Sequence, residues 1–244
     1  MEKNVLQSLR EIINELKYLD RAVEEVAPSS ISNLYSYCTQ GLETVLENIS
    51  QEIQEERGST EENCINYDNF VFEEGEHIVL NQYVGFDDEE IVIPDYYNGK
   101  PVFEIADNAF AKCKHIRKVK LGRFVSIIGA TAFMECENLT EVTNGCSVVY
   151  IGDGCFSNCS RFDTFEWNDN LKFVGSAAFA KTKFKKIITP KGLRYIAGNM
   201  FSGCTELEEV VLHDDVIRIS NNAFSKCKKL KKINFRLYTL NLSV

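Results

Sequence analysis

The chain has 244 residues, 44% of them hydrophobic and 26% charged, with four prolines and 14 glycines. That balance excludes wholesale disorder and a collagen-like or proline-rich chain. No run of 18 apolar residues occurs, so a membrane-spanning helix is not expected.

The net charge of −9 is unevenly spread. Residues 1–101 hold 22 acidic and 6 basic side chains, a net of −16, and residues 102–244 hold 14 and 21, a net of +7. An acidic half joined to a basic half suggests two modules. The basic excess is spread too thinly to form a nucleic-acid stripe, so no nucleic-acid partner is expected. Arg10, Glu11, Glu15 and Lys17 interrupt every candidate signal core near the start. A cytoplasmic location follows if Met1 is the natural start, and a cell-surface or secreted one if it is not.

Residues 4–26 read as an amphipathic helix. Val5, Leu9, Ile12, Leu16, Leu19, Val23 and Val26 are spaced 4, 3, 4, 3, 4, 3, which places them on one helix face. Pro28 ends that helix, because the residue before a proline avoids the helical region. Ser29 or Ser30 can cap a second helix carrying Ile31, Leu34, Cys38, Leu42, Val45, Ile49 and Ile53. Residues 1–58 thus form an expected antiparallel hairpin, docking either on a second copy, as a homo-oligomer, or on the rest of the chain. Polar residues 59–66 form a linker. From Tyr67 the period falls to two: Phe70 and Phe72, Ile78 and Leu80, Ile91 and Ile93. Residues 67–101 therefore make a β capping and lead-in segment of two or three strands.

Beyond it Ala-Phe followed by Cys recurs. The phenylalanines are Phe110, Phe133, Phe156, Phe179, Phe201 and Phe224, spaced 23, 23, 23, 22 and 23. A period in the twenties marks a stacked solenoid. Apolar residues keep step eight before each Phe (Val102, Val125, Val148, Leu171, Leu193, Val216) and five before (Ile105, Ile128, Ile151, Val174, Ile196, Ile219). Three after lie Cys113, Cys136, Cys159, Thr182, Cys204 and Cys227. The fourth copy is one residue short, so Phe184 and Ile187 take the places of Leu139 and Val142. Each coil is too small to make a core alone, and stacking puts like residues over like. Six repeats over 102–235 follow, with the apolar tail 236–244 as an expected cap.

Ile128-Gly129, Ala132-Phe133, Cys136, Leu139 and Val142 together resemble the BspA-like leucine-rich-repeat family. Ile91-Val92-Ile93-Pro94 and Asn98-Gly99-Lys100-Pro101-Val102 resemble its lead-in. The resemblance spans roughly residues 67–235. It implies a leucine-rich-repeat β solenoid, a right-handed coil with a parallel strand ladder, here preceded by the α-helical hairpin. It also implies a role in adhesion, as in bacterial surface or secreted proteins that attach to host proteins or other cells. The alternative is a cytoplasmic scaffold that self-associates through the N-terminal helices.

No catalytic, metal or cofactor site is expected. Of nine cysteines, five share one repeat position and Cys155 another, so they read as a reduced core ladder, with a disulfide or redox role as the alternative. Cys155 and Cys159 lack a second ligand pair nearby, and His77, His115 and His213 share no motif. On the leucine-rich-repeat template the outward strand residues form a concave face that binds a protein partner. They are Arg117, Lys118 and Lys120; Thr140, Glu141 and Thr143; and Asp163, Thr164 and Glu166. They continue as Lys185, Lys186 and Ile188; Glu208, Glu209 and Val211; and Lys231, Lys232 and Asn234. Their sign alternates in blocks, which suits cross-coil ion pairing, partner recognition, or both.

Overall fold

The structure is a computed structural model that describes residues 66–75 and 77–234. The expected hairpin of 1–58, nearly all of the linker, and the tail 236–244 lie outside the described residues.

The described chain winds into a β solenoid of about seven turns. It opens with β1 (Phe70–Glu74), β2 (Ile78–Tyr83), β3 (Glu90–Val92), β4 (Tyr96–Tyr97) and β5 (Lys100–Ile105). Short strands then alternate between two sides of the coil. On one side run β7 (Ile127–Ile128), β9 (Tyr150–Ile151), β11 (Phe173–Val174), β13 (Tyr195–Ile196) and β15 (Arg218–Ile219). On the other run β6 (Lys118–Lys120), β8 (Glu141–Thr143), β10 (Thr164–Phe165), β12 (Lys186–Ile188), β14 (Glu209–Val211) and β16 (Lys232–Asn234). The first side orders β1-β2-β5-β7-β9-β11, then β13-β15. The second orders β3-β6-β8-β10, then β12-β14-β16. The pairs along the repeats are parallel; β1 turns back antiparallel on β2 at the N-terminal end, and β4 pairs antiparallel with β5.

The lead-in segment is itself a coil. Ile78 pairs with Val102 and Leu80 with Ile105, while Ile91 pairs with Val119. Tyr83 takes the place of phenylalanine: its ring stacks on Phe110 at 5.2 Å and 19°. A phenol suits this end position, because its hydroxyl donates to Asp88 at 2.9 Å instead of entering the core.

The six phenylalanines superimpose in one file. Successive centroids lie 4.8, 5.3, 5.3, 5.7 and 5.6 Å apart, with rings within 12° of parallel. The first five are fully buried, and Phe224 in the last described coil is half-buried. Backbone geometry explains the regularity. Two residues in each coil, two before and two after the Phe, adopt the left-handed conformation: Thr131 and Glu135 in one coil, Ala177 and Lys181 in another. Alternating handedness turns every second N–H along the stack axis. Thr131, Phe133 and Glu135 donate to Asp153, Cys155 and Ser157 of the next coil at 2.8–2.9 Å. The same three bonds recur at every junction from Phe110 to Phe224. The coils also approach closely: a Cβ on Gly152 would lie 2.4 Å from the Ala130 nitrogen.

The cysteine column satisfies polar groups as well as filling space. The Cys136 thiol donates to Phe110 O at 3.0 Å, Cys159 to Phe133 O at 3.0 Å, Cys204 to Phe179 O at 3.1 Å and Cys227 to Phe201 O at 3.2 Å. Each of these carbonyls also accepts from a backbone N–H of its own coil, so on Phe110, Phe133 and Phe201 the thiol occupies the second lone pair, while on Phe179 it shares the oxygen with a hydroxyl. Thr182 departs from the pattern: its hydroxyl bonds Phe179 O within its own coil at 2.8 Å. Burial raises the thiol pKa of Cys113 to about 12 and that of Cys227 to about 11, and raises Cys155 and Cys204 as well; Cys136 is raised first by its hydrogen bond with Cys159 and then by burial.

The one-residue deletion falls between Thr182 and Phe184. Both strand ladders are interrupted around it, β10 from β12 and β11 from β13. Aromatic side chains crowd the same level. Phe162, Phe165 and Phe184 are buried where other coils carry aliphatics, and the half-buried Trp167 meets Phe165 at 5.0 Å and Phe179 at 5.1 Å. The phenylalanine turns run through this level without a break.

Two outcomes check this packing. Phe133→Ala or Phe156→Ala should cost about 3–5 kcal/mol in urea unfolding, because a rigid stack cannot collapse into the cavity. Phe224→Ala should cost clearly less. In the native protein at pH 8, alkylation mapped by mass spectrometry should modify the exposed Cys146 and spare Cys136, Cys159 and Cys204 until denaturant is added.

Candidate protein-binding face

The strand ladder of β3, β6, β8, β10, β12, β14 and β16 displays the residues singled out from the sequence. In each strand the central residue points into the core (Val119, Val142, Ile187, Val210) and its neighbours point out. Register then builds two outward columns. Glu90, Lys118, Glu141 and Thr164 share one, continued beyond the interruption by Lys186, Glu209 and Lys232. Val92, Lys120 and Thr143 share the other, continued by Ile188, Val211 and Asn234.

The alternating blocks meet as cross-coil ion pairs. Arg117 lies 3.3 Å from Glu89 and Lys118 3.4 Å from Glu90. Glu209 sits between Lys186 and Lys232, each at 3.0 Å, and Lys231 reaches Glu208 at 3.9 Å. These pairs are solvent-exposed, so each adds little stability. They link neighbouring rungs across the outward face. Three polar members of the face are tied to backbone: Thr140 donates to Arg117 O at 3.0 Å, Glu166 accepts from Asn144 N at 2.5 Å, and Asn234 from Leu212 N at 3.0 Å. Ile188 is 56% exposed and Val92 47% exposed, so the second column is partly apolar.

Glu89, Glu90 and Val92 belong to this face although the repeat period did not reach them. The opposite ladder carries a further feature that the period did not flag. The residue before the inward Ile or Val is bulky in four successive coils: Ile127, Tyr150, Phe173 and Tyr195. The Tyr150 and Phe173 rings stack there at 4.8 Å and 8°.

The histidines are scattered. His77 faces Glu104 at 3.6 Å, His115 lies against Tyr83, and His213 meets Asp215 at 3.2 Å. Among the described residues no group of three or more His, Cys, Asp or Glu side chains is placed to hold a metal ion. Among them, too, no helix is long and apolar enough to cross a membrane. Two asparagines in glycosylation-like triplets have structural places: Asn138 donates to Lys114 O at 2.6 Å, and Asn158 takes a left-handed turn position.

Six copies of the BspA type leucine-rich repeat region match this chain, over residues 77–205 and 126–241. The chain belongs to the BspA-type leucine-rich-repeat family. No curated protein matches it. Among solved structures it is similar to the T. pallidum leucine-rich-repeat protein TpLRR, with a TM-score of 0.67 and 24% identity over 69% of this chain and 80% of that one. It is also similar to a leucine-rich cell surface protein from Faecalibacterium prausnitzii, with a TM-score of 0.56 and 25% identity over 72% of this chain and 53% of that one. A leucine-rich-repeat protein from Bacteroides ovatus gives a TM-score of 0.55 and 22% identity over 72% and 53%. This BspA-type chain thus spans about half the length of the last two.

The face of this BspA-type solenoid has a pH signature. Hydrogen bonds from Lys186 and Lys232 hold the Glu209 carboxyl below its ordinary pKa of 4.5, and Lys229 does the same for Glu206. Unfolding removes those partners and the pKa returns to its ordinary value. Their stabilisation is therefore present above about 4.5 and is lost as pH falls through the lowered values. Replacing Glu209 with Gln should flatten the acid limb of a stability-against-pH profile. An acid limb identical to that of the unmodified protein would contradict this pairing.

Proposed function

We propose that this chain is a non-catalytic protein-binding module that engages its partner through the outward residues of the second strand ladder. Contact residues come from every rung: Lys118 and Lys120, Glu141 and Thr143, Thr164 and Glu166, Lys186 and Ile188, Glu209 and Val211, Lys232 and Asn234. Arg117 borders them. One observation carries the reading: exposed side chains, largely of alternating charge, stand in register on the strand ladder on both sides of its break between β10 and β12. Rows of this kind set specificity and association rate through complementary charge. Ile188, Val211 and Val92 supply apolar contact beside the charges. The family membership agrees with a binding role, and the F. prausnitzii relative is described as a cell surface protein. We place this module on the same kind of surface, where the face meets proteins of other cells.

Capture from cell-surface extracts tests the assignment. A chain carrying K118E, K186E and K232E should lose proteins that the unmodified chain retains, while Tyr195→Ala on the opposite ladder should keep them. Retention of the same proteins by the triple variant would contradict it.

A further inference from the structure

The order of signs along the face has a symmetry of its own. Numbering the coils from zero at Glu90, the first outward column reads Glu90, Lys118, Glu141, Thr164, Lys186, Glu209, Lys232. Reversed about Thr164, every charge falls on its opposite. Glu90 meets Lys232, Lys118 meets Glu209, and Glu141 meets Lys186. Two flanking pairs follow the same rule, Glu89 against Lys231 and Arg117 against Glu208, while Lys185 falls on Thr140. Resting on the reading of this ladder as a binding surface, we infer that its partner is a second copy of the chain, packed face to face and antiparallel about a two-fold axis running along β10.

A two-fold axis along the strand direction keeps each column over itself while reversing the order of coils. It is thus an isologous contact, in which each pair occurs twice. Other arrangements fail on charge. Parallel packing sets each band on its own sign. An antiparallel slip of one coil in one direction brings Glu90 onto Glu209 and Lys118 onto Lys186. A slip in the other direction brings Lys118 onto Lys232 and Glu141 onto Glu209. The charges therefore favour the register centred on β10.

The ion pairs within one copy do not exhaust these groups. Lys118 remains 53% exposed, Glu90 69% and Lys232 70%. In the first column a second copy would add a cation to each carboxylate and an anion to each ammonium. The second column adds Ile188 facing Thr143, and Val211 facing the alkyl stem of Lys120. On the axis itself, Asp163 and Glu166 meet their own copies, which costs affinity. Seven rungs at ~4.8 Å and a face ~13 Å wide give a contact of roughly 400 Å² per copy, at the scale of small and transient interfaces. The association is therefore weak, reversible and salt-sensitive.

Sedimentation velocity on the full chain tests this, in low salt and up to high micromolar concentration. The unmodified chain should shift toward twice its monomer mass and return to monomer near 1 M salt, where the screening length is about 3 Å. The variant R117E/K118E carries acid on both facing rungs, and E208K/E209K carries base on both. Each alone should stay monomeric, and an equimolar mixture should recover the dimer. The four-fold variant R117E/K118E/E208K/E209K restores opposite charges between copies but not within one, and it should dimerise again. Cooperative thermal melts of all variants establish that they fold. Self-pairing is overturned if the unmodified chain stays monomeric, if either double variant dimerises as the unmodified chain does, or if mixing adds no mass. Capture of another protein that is lost in the K118E/K186E/K232E chain would, in that case, leave the protein-binding reading standing and remove only the self-pairing.

Discussion

A coil of about 23 residues has too few apolar groups to close a core, so each coil depends on its neighbours for cover. The phenylalanine turn is where that dependence is met without interruption. Both strand ladders break at the shortened fourth repeat, yet the turn keeps its three N–H bonds and its ring stack across every junction. The turn is held by three features acting together. Left-handed residues on either side of the Phe aim N–H groups at the next coil, the ring fills the space beneath, and the cysteine thiol satisfies the carbonyl that the turn leaves half-used. At the Phe156–Phe179 junction, where Thr182 stands for cysteine and bonds its own coil, the N–H bonds and the ring stack persist without the thiol. Crowded aromatics at Phe162, Phe165, Trp167 and Phe184 sit where strand pairing is missing, so apolar contact replaces ladder hydrogen bonds at that level.

The face inherits its order from that column. Strands of two or three residues cannot fix their own register, and here the stacked turns fix it for them. Once the register is set, side chains at one repeat position become a row, and sign changes between repeats become bands. Lys118 next to Glu90, and Glu209 between two lysines, follow from spacing in the chain and not from any local preference. A banded surface on a rigid scaffold is suited to recognition, and in this chain the bands are their own complement when reversed.

Much of this architecture was legible in the sequence, because a repeated residue is the direct trace of a stacked side chain. The phenylalanine and cysteine columns, the inward Val and Ile positions and the outward residues from Arg117 to Asn234 stand where their spacing put them. The seventh coil was not legible. Tyr83 precedes Phe110 by 27 residues and Ile91 precedes Val119 by 28, so longer loops take them out of step. Glu89 and Glu90 were missed with them, and with them one end of the charge pattern. The left-handed columns were only partly visible: Asn108, Gly154, Asn158, Asn199, Gly203 and Asn222 suit such backbone, whereas Lys112, Thr131, Glu135, Ala177, Lys181 and Lys226 do not. At the latter positions stacking imposes the conformation against local preference. The thiol bonds to the preceding coil were invisible for a related reason: a cysteine column reads as apolar filling until the carbonyl beneath it is located.

Native-state hydrogen exchange at the amides of Phe110, Phe133, Phe156, Phe179 and Phe201 probes the central column most directly. If the turns carry the stack, these five amides open only with global unfolding, including Phe156 and Phe179 beside the interrupted ladders, and the amides of β10 and β12 exchange sooner. Exchange of Phe156 or Phe179 through local openings, well before Phe133, would show that the column is divided there and that the strands hold the coils together.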